Sequence, residues 1–326
     1  MRRKLFSFIS ALLFLPAMLS AQRIPKADIG ISVGSTLFFG DLGGANTIGR
    51  PFFFDLEKSL IQPVGMLSYH YQLSNRFAFR IQGAYTSIAG DDKLLQPKQL
   101  FAPEWFRWFR NLNFHSKLWE VSAQAEFYFV RYQPGSLAQR WGPYFLLGGG
   151  VFHFNPKTTY GGREVALRPL RTEGEGMPGT GVKEYSLYQF CIPVGVGIRY
   201  NVTNDFTIGF EYADRKTFTD YIDDVSTVYV SPSDFSSYFS NDPATAALAT
   251  QLAMRADELP IYAEHAFVVA PGQQRGQPKN KDHYIFPVFS FYYVIGGPKH
   301  LNPRKQTKCM KWGGSGGQSN VHKYHK

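Results

Sequence analysis

Past its opening residues the 326-residue chain has no run of about 18 uninterrupted apolar residues, so no segment of it can cross a bilayer as a helix. If the mature chain is a membrane protein, it must cross as a closed β-barrel. It also lacks the common marks of catalysis. No Gly-rich phosphate loop, zinc-ligand spacing or EF-hand loop occurs, which removes the usual nucleotide and metal chemistries. His70, His115 and His153 have no serine and carboxylate at a recognisable spacing, as an outer-membrane lipid hydrolase would require. The expectation is a protein that is not an enzyme and that takes no cofactor and no metal. Asp220, Asp223 and Asp224 could suggest calcium, but turn capping and pairing with Arg215 or Lys216 suit them better.

Acidic residues are missing from one place. The last thirty residues hold Lys299, Arg304, Lys305, Lys308, Lys311, Lys323 and Lys326 and no Asp or Glu. Three more cations, Arg2, Arg3 and Lys4, open the chain. With these set aside, the formal charge of +10 falls to zero, 25 positive against 25 negative. The body is neutral and a nucleic-acid footprint is not indicated.

What the chain does have is an export signal and many aromatics. Arg2 to Lys4, the apolar run Leu5 to Leu15 and the small pair Ser20-Ala21 read as a signal peptide over 1–21. Aromatic residues make up 16%, with 29 Phe and 19 Tyr, and most fall at alternating positions. Eight stretches carry a period of two. In the clearest, Phe190, Ile192, Val194, Val196, Ile198 and Tyr200 alternate with Gln189, Cys191, Pro193, Gly195, Gly197 and Arg199. The others centre on Ile29 to Phe39, Leu67 to Leu73, Phe77 to Tyr85, Trp119 to Phe129, Trp141 to Phe154, Phe206 to Tyr212 and Phe289 to Ile295. Leu37 belongs to the apolar, outward set of the first stretch.

The links between these stretches alternate strictly. Ser74-Asn75, a link beginning at Gln133-Pro134-Gly135, and Asn201 to Asp205 are short. The spans 40–62, 89–113, 155–183 and 214–282 are long. Membrane barrels put short turns in the periplasm and long loops outside. The spacing therefore predicts an all-β, eight-stranded antiparallel transmembrane barrel over 22–296 in the outer membrane. Both termini then fall on the periplasmic side, with a basic flexible tail over 297–326.

A barrel of eight strands is just wide enough for its own side chains. Arg80, Arg199 and Arg215 face inward, as do Glu120, Glu126 and Glu211. Buried charges need partners, so these are expected to neutralise one another in the lumen and to disfavour a pore. In the last long link, Asp242 as N-cap followed by Pro243 starts a short helix that runs toward Glu258.

Four strings resemble the PorG-like outer-membrane barrel of the type IX secretion system. They are Gly40-Asp41-Leu42-Gly43-Gly44, Arg110-Asn111-Leu112-Asn113-Phe114, Phe152-His153-Phe154-Asn155-Pro156 and the run Thr219 to Tyr229. The likeness extends from Ile29 to Ile295. The resemblance implies a scaffold subunit of a secretion machine. In that family the barrel associates with a periplasmic ring of a lipoprotein and its partner protein, while a separate, larger barrel moves cargo. A tail of about thirty residues past the last strand is a departure. Its Lys305, Lys308 and Lys311 suit an acidic partner surface or lipid headgroups. Its Cys309 could bridge to a partner, bridge to Cys191, or stay free in an oxidising periplasm. A loop-mediated adhesin barrel is the competing function, and a lipid-modifying barrel enzyme a third.

Overall fold

A computed structural model describes residues 27–42 and 61–295 apart from 96 and 98. The signal peptide at 1–21 and the tail at 297–326, with Lys305, Lys308, Cys309 and Lys311, lie outside these residues.

Among the described residues ten strands form: β1 (Ala27–Phe39), β2 (Gln62–Gln72), β3 (Phe77–Asp91), β4 (Asn113–Tyr128), β5 (Trp141–His153), β6 (Lys157–Tyr160), β7 (Arg163–Ala166), β8 (Tyr188–Asn201), β9 (Phe206–Thr217) and β10 (His283–Ile295). Eight of them close on themselves in the order β3-β2-β1-β10-β9-β8-β5-β4, with β4 pairing back onto β3. All pairings are antiparallel. β6 and β7 form a hairpin that joins β4 only through His115 and Lys157. Closure leaves the barrel wall without an edge.

Why these residues form strands is visible on the outer wall. Phe190 is 69% exposed, Leu67 65% and Ile31 61%, while their neighbours in sequence point inward. In water such a surface would be untenable, and in a bilayer it is the solvated face. Aromatic girdles mark its borders. Tyr71, Phe77, Trp141, Phe206 and Tyr293 stand at one end and Tyr85, Trp119 and Tyr188 at the other. Along a strand the two girdles are eight to twelve residues apart. At ~3.3 Å per residue and ~40° of tilt this is about 20–30 Å, the height of an outer-membrane apolar band. Among the described residues no helix is long and apolar enough to span a membrane.

Links at the first end are 73–76, 129–140 and 202–205, and those at the other are 40–61, 92–112, 154–187 and 218–282. Among the described residues the long links hold four helices, α1 (Pro103–Arg110), α2 (Pro232–Tyr238), α3 (Pro243–Ala253) and α4 (Tyr262–His265). α3 starts as its sequence predicts, with Asp242 accepting from Thr245 N at 3.1 Å. It ends at Ala253, and the chain tightens into a 3₁₀ turn at Ala256–Glu258. Leu37 departs from its expected outward exposure. It is paired with Ile285 at the extracellular rim, and both are buried.

Candidate functional site

From the periplasmic end upward, the lumen is filled in layers. Lowest is Arg199, whose Nη1 is 3.2 Å from Asp28 Oδ2 and whose Nη2 meets His70. His70 Nδ1 lies 3.2 Å from Glu126. The Arg199 guanidinium also sits 4.0 Å over the Tyr292 ring, a cation–π contact strengthened by desolvation. Gly30 and Gly197 make room for this layer, since a Cβ on either would collide with the rings of Tyr292 and Tyr144. Next comes Arg80, 2.6 Å from Glu211 and 3.4 Å from Glu126, with Gln124 as a further acceptor. Tyr144 OH donates to Glu211 at 2.7 Å. Above it Arg215 lies 3.4 Å from Glu120, which also accepts from Tyr284 OH at 3.0 Å. The structure thus brings together Arg80, Glu120, Glu126, Arg199 and Glu211. It adds Asp28 and His70, whose alternation with outward residues was the available signal.

Over the ionic layers the filling becomes apolar. Met66, Val64, Ile88, Leu118, Phe152 and Phe286 from the strands meet Leu42, Ile222, Val225 and Leu252 from the long links. Cys191 is buried among them at the extracellular end of β8, whereas β10 ends with Ile295 at the opposite end of the barrel.

The described parts of the long links form one folded lobe. Glu173 is its central pin. Its Oε1 accepts from Ser226 N at 2.9 Å and Arg275 Nη1 at 2.8 Å, and its Oε2 accepts from Thr227 N at 2.8 Å. Arg110 is held by Asp92 at 2.8 Å and donates to the carbonyls of Arg275 and Asp41. Asp223 accepts from Leu42 N at 2.8 Å and from Val225 N at 3.1 Å. Asp224 accepts from Tyr185 OH and Thr172 Oγ1, and Asp220 from Ser226 Oγ. Of the three, Asp223 takes the expected turn-capping role, Asp220 and Asp224 bind side-chain hydroxyls instead, and the pairing with Arg215 or Lys216 is not found. Arg215 is committed to Glu120 inside the barrel wall, below the lobe. Burial pushes Asp220 up to about 7, Asp224 to about 6 and Glu175 to about 8, the last raised further by the charges of Asp224 and Glu173.

On the lobe's side, a cavity of about 720 Å³ opens between Phe106, Arg107, Tyr229, Phe267 and Gln274. Beside it Phe101, at φ 61°, contacts Trp105, Phe106, His265 and Phe267. A bulky residue in the left-handed region is costly, so this aromatic patch is held against strain. Neither the patch nor α3 brings a nucleophile to a histidine. His115 meets only Glu164, at 3.1 Å on the surface, and His153 stacks on Trp119. Among the described residues no group of His, Cys, Asp and Glu could hold a metal ion.

Sequence reasoning missed the knot at the periplasmic mouth. Asn201 accepts from Tyr132 OH at 2.8 Å, Gly135 N at 3.2 Å and Thr207 Oγ1 at 2.8 Å. Its amide donates to the carbonyls of Gln133, Ser136 and Gln139. It thereby folds the 129–140 link across the mouth. In sequence, it reads only as the first residue of a turn.

Three solved barrels resemble the chain. The attachment invasion locus protein Ail of Yersinia pestis is 11% identical, with 83% of this chain and 97% of that one covered and a TM-score of 0.34. Neisserial surface protein A is 9% identical, covering 83% and 99%, with a TM-score of 0.33. OprG of Pseudomonas aeruginosa is 10% identical, covering 82% and 96%, with a TM-score of 0.33. It is the closed ladder of this chain's own strands, with its apolar exterior, that makes it an outer-membrane β-barrel. No curated protein matches the sequence. A family described only as a domain of unknown function matches residues 3–238.

Proposed function

The chain belongs to the family called DUF6089, and we propose that it is a non-enzymatic scaffold subunit of a type IX protein-secretion machine, anchoring a periplasmic ring complex to the outer membrane. One observation carries this reading. The four strings that resemble PorG-like barrels lie far apart in sequence, yet in space they meet. Arg110 donates to Asp41 O at 2.7 Å and Leu42 N to Asp223 at 2.8 Å. Phe154 stacks on Tyr185, which stacks on Tyr221. The resemblance is therefore to one assembled unit, the base of the lobe, rather than to scattered turns. A filled lumen supports the same reading, because cargo would need another route. The partners would be the ring lipoprotein and its partner protein, reached from the periplasmic side, where Cys309 offers a thiol for a mixed disulfide.

The test is a deletion strain. Its culture medium should lose the bulk of the exported proteins, and the tagged full chain, extracted in detergent, should bring down a periplasmic ring. Normal export in that strain would refute the scaffold role. A second reading, surface binding through the loops, is favoured by the strained aromatic patch around Phe101. In that case export stays normal and adhesion is lost.

A further inference from the structure

The periplasmic end of the barrel carries a rigid, basic plate. Asn201 ties the 129–140 link down, and Tyr132 N donates to Asn75 O at 2.9 Å, which joins that link to the 73–76 turn. Gly135, at φ 70°, lies so close to the 202–205 turn that a Cβ there would collide with the Asn204 carbonyl. The three short links are thus one surface. Among the described residues of these links the charges are Arg76, Arg131 and Arg140 against Asp205, all exposed.

These arginines stand at a particular depth. Arg140 Nη1 donates to Tyr200 OH at 3.1 Å, and its guanidinium lies 6.0 Å from the centre of that ring. Tyr200 in turn contacts Trp141, at 4.6 Å between centroids. Arg76 Nη1 donates to Phe129 O at 3.4 Å and adjoins the exposed Phe77. Arg76 and Arg140 therefore continue directly from the lower aromatic girdle, at the level where lipid headgroups lie, and the exposed Arg131 belongs to the link between them. Leu73, Phe129 and Val202 project beside them, each more than two-fifths exposed. Apolar side chains entering the leaflet beside guanidiniums at its surface suit an interfacial lipid contact. A guanidinium can grip a phosphate with two parallel N–H bonds. Arg140 spends on Leu137 O and Tyr200 OH only two of its five N–H groups.

We propose that this plate binds the phosphate headgroups of anionic phospholipids in the inner leaflet, fixing the barrel's depth and biasing the lipids around it. The full chain is reconstituted in nanodiscs of phosphatidylcholine containing a minor fraction of phosphatidylglycerol. Lipid retained on the barrel is then read by native mass spectrometry, at low and high salt. The wild type should retain phosphatidylglycerol in preference to phosphatidylcholine, and the preference should fall as salt rises. It should also fall roughly fivefold for each arginine removed, about the worth of one cation at an anionic surface. R76Q/R131Q/R140Q is the main variant, checked by the heat-dependent gel shift of a folded barrel. If it fails that check, Arg131→Gln alone carries the test, since Arg131 is exposed. R76K/R131K/R140K should keep most of the preference. Equal retention of both lipids by the wild type overturns the proposal, as does an undiminished preference in the Gln variants. An anionic-lipid profile unmoved by these variants while an acidic periplasmic protein is lost would overturn it too, assigning the plate to protein.

Discussion

Asn201 lies at the end of β8 with no exposed surface and six hydrogen-bond partners drawn from one link and the next strand. Replacing it by Ala removes the acceptor of Tyr132 OH, Gly135 N and Thr207 Oγ1, and also the two N–H groups shared among three carbonyls, of which those of Gln133 and Ser136 keep a backbone N–H partner. The local cost should be about 1–3 kcal/mol for each group left unsatisfied, concentrated in residues 129–140. Hydrogen exchange should accelerate there in Asn201→Ala while the strands keep their protection, and unchanged exchange in the link would show that other contacts hold it. Arg80 is the contrasting case, a charge in the barrel's middle rather than a clasp at its end. Arg80→Met leaves Glu211 and Glu126 facing one another without their shared cation. Breaking a buried pair from one side costs about 3–5 kcal/mol, so the temperature at which the folded band shifts on gels should drop clearly. A matched Arg80→Met/Glu211→Leu change should recover part of that loss. No recovery would mean that packing, not charge, sets the effect.

Among the elements, the lobe differs from the strands in how it responds to pH. Asp220, Asp224 and Glu175 are all raised, to about 7, 6 and 8, chiefly by burial. A carboxyl whose folded value is raised holds its proton more tightly in the folded state. Its contribution is complete below the ordinary carboxylate range and is lost as pH climbs through the folded values. The lobe should therefore loosen between about pH 6 and 8 while the barrel stays closed. Hydrogen exchange corrected for intrinsic rates, compared at pH 5.5 and 8.5, should show faster opening of 172–186 and 218–230 at the higher pH; a lobe equally protected at both would refute it. The same division explains what the sequence could reveal. Strands advertise themselves because each second side chain meets hydrocarbon, so Phe190, Val196 and Ile198 write the pattern without help from distant residues. The lobe has no such uniform solvent. Glu173 acquires meaning only when Ser226, Thr227 and Arg275 arrive from a link fifty or more positions away. The start of α3 was legible because Asp242-Pro243 is a local signal. The knot at Asn201 was not, because its partners are mostly backbone atoms, which carry no sequence identity.

For the molecule as a whole the question is which part seals the barrel. Two seals are stacked in it. The upper one is apolar and shared between the strands and the lobe, through Ile222, Val225, Phe235 and Leu252. The lower one is ionic, and every member of it comes from a strand: Asp28, His70, Arg80, Glu126, Arg199 and Glu211. Removing the lobe thus exposes an apolar mouth but leaves the lower layers intact, with Tyr132 and the 129–140 link still beneath them. An ion crossing those layers would have to displace guanidinium–carboxylate contacts in a wall with no room for a hydration shell. A chain in which 218–282 is replaced by a short turn should insert into planar bilayers and show no stepwise conductance, just as the intact chain should show none. Discrete conductance steps from the shortened barrel alone would place the seal in the lobe. Steps from the intact chain would make it a pore, and the scaffold reading would lose the filled lumen that supports it.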